Sequence, residues 1–355
     1  MAIKKPNKGI NKKAIIALLI VTALLAVALL LALRYYNRIF APSVSAPQGQ
    51  QVELYIPSNP EFEEVMALLK HSGAIENLKD FAWVARRKGY HNRPRGGRYL
   101  LKNGMSNNEV VNLLRAGLQS PINVTFNNIR THNELAGQLA KRLEPDSLAF
   151  LQALTDPDLL SQYEAAPHTI LGIILPNTYQ MFWTTSPETF IERMHSEYHK
   201  FWNEERLGQA DALRLTPLQI ATLASIVDEE TIREDEKPRV AGLYLNRLDR
   251  GMRLQADPTI KFAIGDFTVN RILTKDLQTE SPYNTYLHAG LPPGPIRMPS
   301  ISGINAVLQH EKHQYLYMCA KDDFSGYHAF ARTLRQHNIN AARYRQALNR
   351  QRIYR

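Results

Sequence analysis

The chain of 355 residues is about twice the commonest domain length, so two globular units with appendages are expected. Hydrophobic residues make up 44% and charged residues 21%, which excludes collagen-like and wholesale disordered classes, and a lone cysteine, Cys319, excludes an internal disulfide framework or a Cys-based zinc site. The formal charge of +10 is concentrated at the ends: residues 1–38 carry +7, the last thirteen carry +5, and the body between them carries −2, so a nucleic-acid partner is excluded.

In chain order, a basic tail (1–13) precedes twenty residues, Ala14 to Leu33, interrupted only by Thr22. A helix of that length spans about 30 Å, the thickness of a bilayer's hydrocarbon core, and a transmembrane helix is expected over 14–34. The lysines before it place the N-terminus in the cytoplasm. A cleaved signal peptide is the competing reading, but its apolar region is shorter and Pro47 follows the small-residue stretch Val44-Ser45-Ala46. Residues 35–51 include a Pro/Ser/Gln-rich stretch, Ala41–Gln51, that reads as a flexible stalk.

Three strand-then-helix patterns follow. Val52–Ile56 leads to Ser58-Asn59-Pro60-Glu61, Arg98–Leu101 to Ser106-Asn107-Asn108-Glu109, and Ile122–Phe126 to Thr131-His132-Asn133-Glu134. Each tetrapeptide has the capping-box form, in which the hydroxyl accepts from the third helical amide and the Glu reaches back. A small α/β module over 52–128 is expected, without chemistry of its own.

Phosphate loops, nucleophile elbows and dinucleotide fingerprints are absent from the sequence. His195 and His199 share a helix face but have no zincin glutamate, so no metal is assigned. The informative stretch begins at Thr216-Pro217-Leu218-Gln219, a capping box with proline at the first helical position. With Val227 at zero and a turn of about 100° per residue, Glu230 falls at about −60°, beside Leu223 at about −40°, whereas Asp228 falls at about +100° and Glu229 at about 200°. Glu230 is thus directed into the apolar stripe. Desolvation there raises a carboxyl pKa, which suits a general acid; a buried salt bridge with Arg247 is the structural alternative. A second helix, about Pro238 to Arg250, aligns Val240, Leu243, Tyr244 and Arg247 and stops at Gly251. Loops rich in Pro, Gly, Tyr and amides follow, suited to the walls of a carbohydrate cleft.

The blocks LASIVDEET (Leu223–Thr231), VAGLYLNRL (Val240–Leu248), GMRLQADPT (Gly251–Thr259), YNTY (Tyr283–Tyr286), GLPPGPI (Gly290–Ile296), YLY (Tyr315–Tyr317) and HAF (His328–Phe330) resemble, in order, the endolytic murein transglycosylases, the MltG or YceG-like family. Upstream, Leu175-Pro176-Asn177-Thr178-Tyr179 is similar to a further family motif. Asp228 stands where the family has the first Glu of its E-x-E-T pattern, and Asn177 where many members have Asp.

The resemblance implies an α+β architecture: the transmembrane helix, a LysM-like module, then a mixed α/β catalytic domain over 129–345 and a basic tail over 346–355. It implies a lyase of cell wall biogenesis in the bacterial inner membrane, with its catalytic domain in the periplasm. Its substrate would be peptidoglycan glycan strands, its partners glycan synthases, and no cofactor is needed. Glu230 takes the position of the essential carboxylate. It would protonate the leaving oxygen of a β-1,4 link between N-acetylmuramic acid and N-acetylglucosamine, then collect the proton of the muramoyl C6 hydroxyl as that group closes to a 1,6-anhydro end, terminating strand elongation. Gln255, Asp257, Tyr283, Asn284 and His328 are expected to bind substrate, with Glu236, Asn246 and Arg247 in support; the same groups would serve equally to hold the loops together. A non-catalytic peptidoglycan-binding scaffold and a true hydrolase using Glu236 or Asp257 are the alternatives.

Overall fold

The computed structural model describes residues 12–47, 50–269 and 272–351. The elements run α1 (Lys12–Phe40), β1 (Gln51–Ile56), α2 (Phe62–Ser72), α3 (Leu78–Arg87), β2 (Gly97–Lys102), α4 (Asn107–Ala116), β3 (Ile122–Phe126), α5 (His132–Ala140), α6 (Ser147–Thr155), α7 (Pro157–Ser161) and α8 (Ile170–Ile173). They continue with β4 (Asn177–Met181), α9 (Pro187–Phe201), α10 (Glu204–Ala212), α11 (Pro217–Glu230), α12 (Lys237–Asp249), α13 (Asp257–Ile264), α14 (Ile301–Leu308), β5 (Tyr317–Ala320), β6 (His328–Ala331) and α15 (Leu334–Arg350). The mixed α and β content expected from the sequence is present. Most of the basic tail 1–13 lies outside the described residues, as do residues 352–355 of the C-terminal one; the stretch 346–350 belongs to α15.

The chain divides into two compact units: residues up to Ile122 with Phe182–Thr184, and Asn123–Met181 with Thr185–Arg355. In the first unit β1 pairs antiparallel with β2, Leu54 opposite Tyr99. Alternation sends Leu54, Ile56, Tyr99 and Leu101 to one face, where they meet Val65 and Leu69 of α2, Phe81 and Val84 of α3, and Val110 and Leu114 of α4. Of the three sequence capping boxes, Ser106 and Glu109 form the full reciprocal pair. Thr131 accepts from the Glu134 amide, but Glu134 bonds the Arg130 amide instead of the cap. Ser58-Asn59-Pro60-Glu61 is a turn: Asn59 is left-handed at φ 54° and α2 begins only at Phe62.

Two boundaries differ from the sequence reading. The third strand, β3, pairs with β4, and all of it but Ile122 lies in the second unit, so the division falls at 122/123 instead of 128/129. Residues 35–47 are not a free stalk. Helix α1 continues to Phe40, Tyr35 meets Trp83 edge-on at 5.0 Å, and Arg38 pairs with Asp80 at 2.6 Å. Beyond it Val44 is buried in the first unit's core, its amide donates to the Met105 carbonyl at 2.9 Å, and the Ser43 hydroxyl donates to Asn107. Composition signalled a linker, but a short side chain that fills a core gap is equally compatible with Pro/Ser-rich sequence. Among the described residues α1 is the one helix long and apolar enough to cross a membrane.

The second unit is organised around α11. Its N-terminus has the expected box, with Thr216 and Gln219 bonding reciprocally and Pro217 at the first position. Ile220 to Asp228 are all buried, enclosed by α12 (Val240, Leu243, Tyr244) and α14 (Ile304, Val307). At Gly303 of α14 a Cβ would lie 2.6 Å from an Asp228 carboxylate oxygen, so glycine permits this approach of α14 to α11. An antiparallel pair, β5 with β6, places Ala320 opposite His328.

Candidate functional site

Helix α11 ends in three consecutive carboxylates, where the helix dipole disfavours negative charge. Two are neutralised. Asp228 is buried, pairs with Lys237 at 2.8 Å and accepts from the Ser300 amide and hydroxyl, both at 2.7 Å. Glu229 is held by Arg130 at 2.9 Å and Arg297 at 2.6 Å. Both were expected to face away from the core. Asp228 is buried against α14, and Glu229, 18% exposed, is covered on one side by Arg130 and Arg297, because the wheel's outward sectors meet other elements along much of α11.

Glu230 alone of the three has no cation within ion-pair distance among the described residues. Its Oε1 accepts from the Tyr244 hydroxyl at 2.6 Å. Loss of water pushes its pKa up to about 7; the Tyr244 hydrogen bond opposes that rise, and the nearby Asp257 charge adds to it. The expected direction is therefore present, by the expected cause. Burial also raises the Tyr244 hydroxyl well above its ordinary value, so it remains a donor. The alternative salt bridge with Arg247 is not formed: Arg247 donates to the carbonyls of Leu316 and Leu254, each at 2.6 Å, tying the strand side of the site to the loop before α13.

Glu230 lines an open cavity of about 480 Å³, within the size range of ligand clefts. Gln255, Asp257 and His328, three of the five expected substrate contacts, line it too, together with Arg247. Gln255 is held left-handed at φ 49°, with its amide bonded to the Thr285 carbonyl. A non-glycine residue in that conformation is strained, and such strain concentrates at working sites. Asp257 opens α13 and accepts from the Tyr286 hydroxyl at 2.5 Å. His328 begins β6 and is gripped by Glu236, which is 2% exposed. One Glu236 oxygen accepts the His328 backbone N–H at 2.7 Å, and the other bonds Nδ1 at 2.8 Å.

The remaining expectations are placed elsewhere. Tyr283 packs against Phe262, ring centroids 4.5 Å apart, and lines a separate cavity of about 390 Å³ with Arg130, His132 and His168. Asn284 is fully buried. Its amide donates to the carbonyls of Leu277 and Thr279 while its oxygen accepts from the Tyr286 amide, so it shapes the loop that presents Tyr286. Asn246 donates to the carbonyls of His313 and Tyr315 and supports the approach to β5. The two hydroxyls that bond the cavity's carboxylates, Tyr244 and Tyr286, were not among the sequence candidates. Tyr244 carried a signal: it is the one hydroxyl on the α12 stripe formed with Val240, Leu243 and Arg247. His195 and His199 are 2.9 Å apart on α9, outside this cavity.

A sequence model of the YceG-like family matches residues 54–343. A Bacillus subtilis (strain 168) protein named endolytic murein transglycosylase is 27% identical over 327 residues, covering 87% of this chain and 89% of that protein. A Streptococcus pneumoniae (serotype 2, strain D39) protein of the same name is also 27% identical; the match takes in 93% of this chain and 65% of that protein. A crystal structure of a yceG-like protein from Listeria monocytogenes superposes with a TM-score of 0.55 at 26% identity, covering 82% of this chain and 98% of that one.

Proposed function

The chain belongs to the YceG-like family, and from that premise we propose that it is a membrane-anchored endolytic lytic transglycosylase of peptidoglycan. The observation that carries the reading is Glu230: a carboxyl without a cation partner among the described residues, in a ligand-sized cavity, whose pKa of about 7 keeps a large share of it protonated at neutral pH. A general acid is most effective when its pKa lies near the working pH. Glu230 donates its proton to the glycosidic oxygen as the C1–O bond breaks. The C6 hydroxyl of the same muramoyl sugar closes on C1 and leaves a 1,6-anhydro end. An intramolecular nucleophile needs no second carboxylate to activate water, and its attachment to the reacting ring supplies the proximity.

Gln255, Asp257 and His328 are among the polar groups that line the cavity and can hold the sugar, and the Tyr286 hydroxyl orients Asp257. The length and composition of α1 support a single-pass anchor in the inner membrane, with the N-terminus cytoplasmic and the second unit in the periplasm. The strand–helix–helix–strand order of β1, α2, α3 and β2 supports a LysM-like, wall-contacting role for the first unit. Cutting within nascent strands would end their elongation, and the glycan synthases that make them are natural partners.

A second carboxylate in the cavity, Asp257, sustains hydrolysis as the competing reading. Mass spectrometry of digested glycan strands separates the two. Anhydro-muramic ends establish the transglycosylase, and reducing ends alone would replace it with a hydrolase. Absence of product from the full chain would leave a binding scaffold.

A further inference from the structure

Acid chemistry at Glu230 leaves the pairing of Glu236 with His328 unexplained. A buried carboxylate is costly unless paired or fully hydrogen-bonded. No Lys or Arg pairs with Glu236 among the described residues, and both its oxygens are committed to the backbone and ring of His328. With the Glu236 carboxylate as acceptor, a neutral His328 ring is held as the Nδ1–H tautomer, which leaves the lone pair on Nε2. His328 lines the same cavity as Glu230, and its Nε2 has no hydrogen-bond partner among the described residues.

We propose that Glu236, His328 and the C6 hydroxyl of the muramoyl sugar form a carboxylate–imidazole–hydroxyl relay in which the substrate itself supplies the nucleophile. The arrangement follows the logic of a hydrolase triad, with the side-chain hydroxyl replaced by O6. His328 Nε2 takes the proton of O6 as the O6–C1 bond forms. The C1–O bond to the departing sugar breaks, and the proton of Glu230 goes to the departing oxygen. The step ends with an imidazolium and a Glu230 carboxylate, and proton transfer from Nε2 to Glu230, directly or through water, restores both. Glu236 is a positioning residue that fixes the ring's tautomer and stabilises its cation. Glu230 begins the step protonated and bonded to Tyr244, so a separate base lets O6 attack while the glycosidic bond is still breaking.

The relay rests on the transglycosylase reading and adds the group that collects the O6 proton. It is tested with the full chain in detergent on purified glycan strands, comparing His328→Gln, His328→Ala and Glu236→Gln with the parent. Turnover should fall by about 10²-fold or more in the His328 variants, and the surviving product should shift from anhydro towards reducing ends as water competes for C1. Glu236→Gln should lower kcat with KM nearly unchanged, and added imidazole should restore turnover to His328→Ala. A His328→Gln enzyme within about threefold of the parent, releasing anhydro ends only, would overturn the relay. So would a loss of turnover in His328→Ala with unchanged product ends and no rescue by imidazole. In either case an inactive Glu230→Gln leaves the acid assignment standing, whereas an active Glu230→Gln removes the underlying reading itself.

Discussion

Replacing Glu230 with Gln separates catalysis from stability with opposite signs. Glutamine keeps the side chain's length and still offers an oxygen to the Tyr244 hydroxyl, but it has no proton to give; turnover should fall by about 10²-fold or more. In the parent, the folded-state pKa of Glu230 is raised from 4.5 to about 7. Below pH 4.5 the group is protonated in both folded and unfolded chains and makes no difference. Between 4.5 and 7 the unfolded chain ionises freely while the folded one resists, so folding loses free energy as pH rises, and the loss levels off above pH 7. At 1.36 kcal/mol per pKa unit the full penalty is about 3 kcal/mol as an upper bound. Glutamine escapes it. Thermal unfolding of the full chain in detergent should show parent and variant together at pH 4, with the variant up to roughly 6–12 °C more stable at pH 8. A variant that is less stable than the parent at pH 8, or that still turns over strands at the parent's rate, would refute the assignment of Glu230 as a desolvated acid.

For the parent, turnover should decline as pH rises through about 7, roughly tenfold per unit once the acid form is the minor species. Tyr244→Phe removes a hydrogen bond that lowers the Glu230 pKa, so that alkaline limb should move up by about one unit; a limb that stays put or moves down would show that the hydroxyl does not stabilise the carboxylate. Lys237→Met strands a buried Asp228 and should cost about 3–5 kcal/mol in denaturant unfolding, since their side chains are 6% and 4% exposed; a loss under about 1 kcal/mol would count against the pair. Gly303→Ala should cost about 1–3 kcal/mol, because its Cβ would press on a carboxylate already fixed by Ser300 and Lys237; an unchanged melting temperature would contradict that packing.

What was legible in the sequence was local. The cap at Thr216, the box at Ser106, the strands at 52–56 and 98–101 and the inward direction of Glu230 all follow from periodicity and hydrogen-bonding chemistry within a few residues. The helical wheel found Glu230 yet missed the partners of its neighbours, because it ranks directions by one apolar stripe and takes no account of the elements packed against the other sides of α11. Partners distant in sequence were out of reach. Nothing near Asp228 announces Ser300, and nothing near Glu229 announces Arg130 or Arg297. Asn284 and Tyr283 were drawn into the site by composition, since amides and aromatic rings suit sugars. The structure spends Asn284 on three backbone bonds and turns Tyr283 onto Phe262. Glu236 and His328 were both singled out, but their meeting depends on β6 arriving beside the start of α12, which tertiary pairing alone decides.

The unbroken run of α1 into the first unit makes the helix an axle instead of a tether. Because Tyr35 and Arg38 engage α3 on one side of the helix, the first unit is locked to α1 at a fixed azimuth. Each residue added or removed between the apolar stretch and Tyr35 would rotate that unit by about 100° and displace it by about 1.5 Å relative to that stretch. Chimeras that borrow another protein's apolar N-terminal helix should therefore be sensitive to helical phase, with whole-turn insertions tolerated and single-residue ones not.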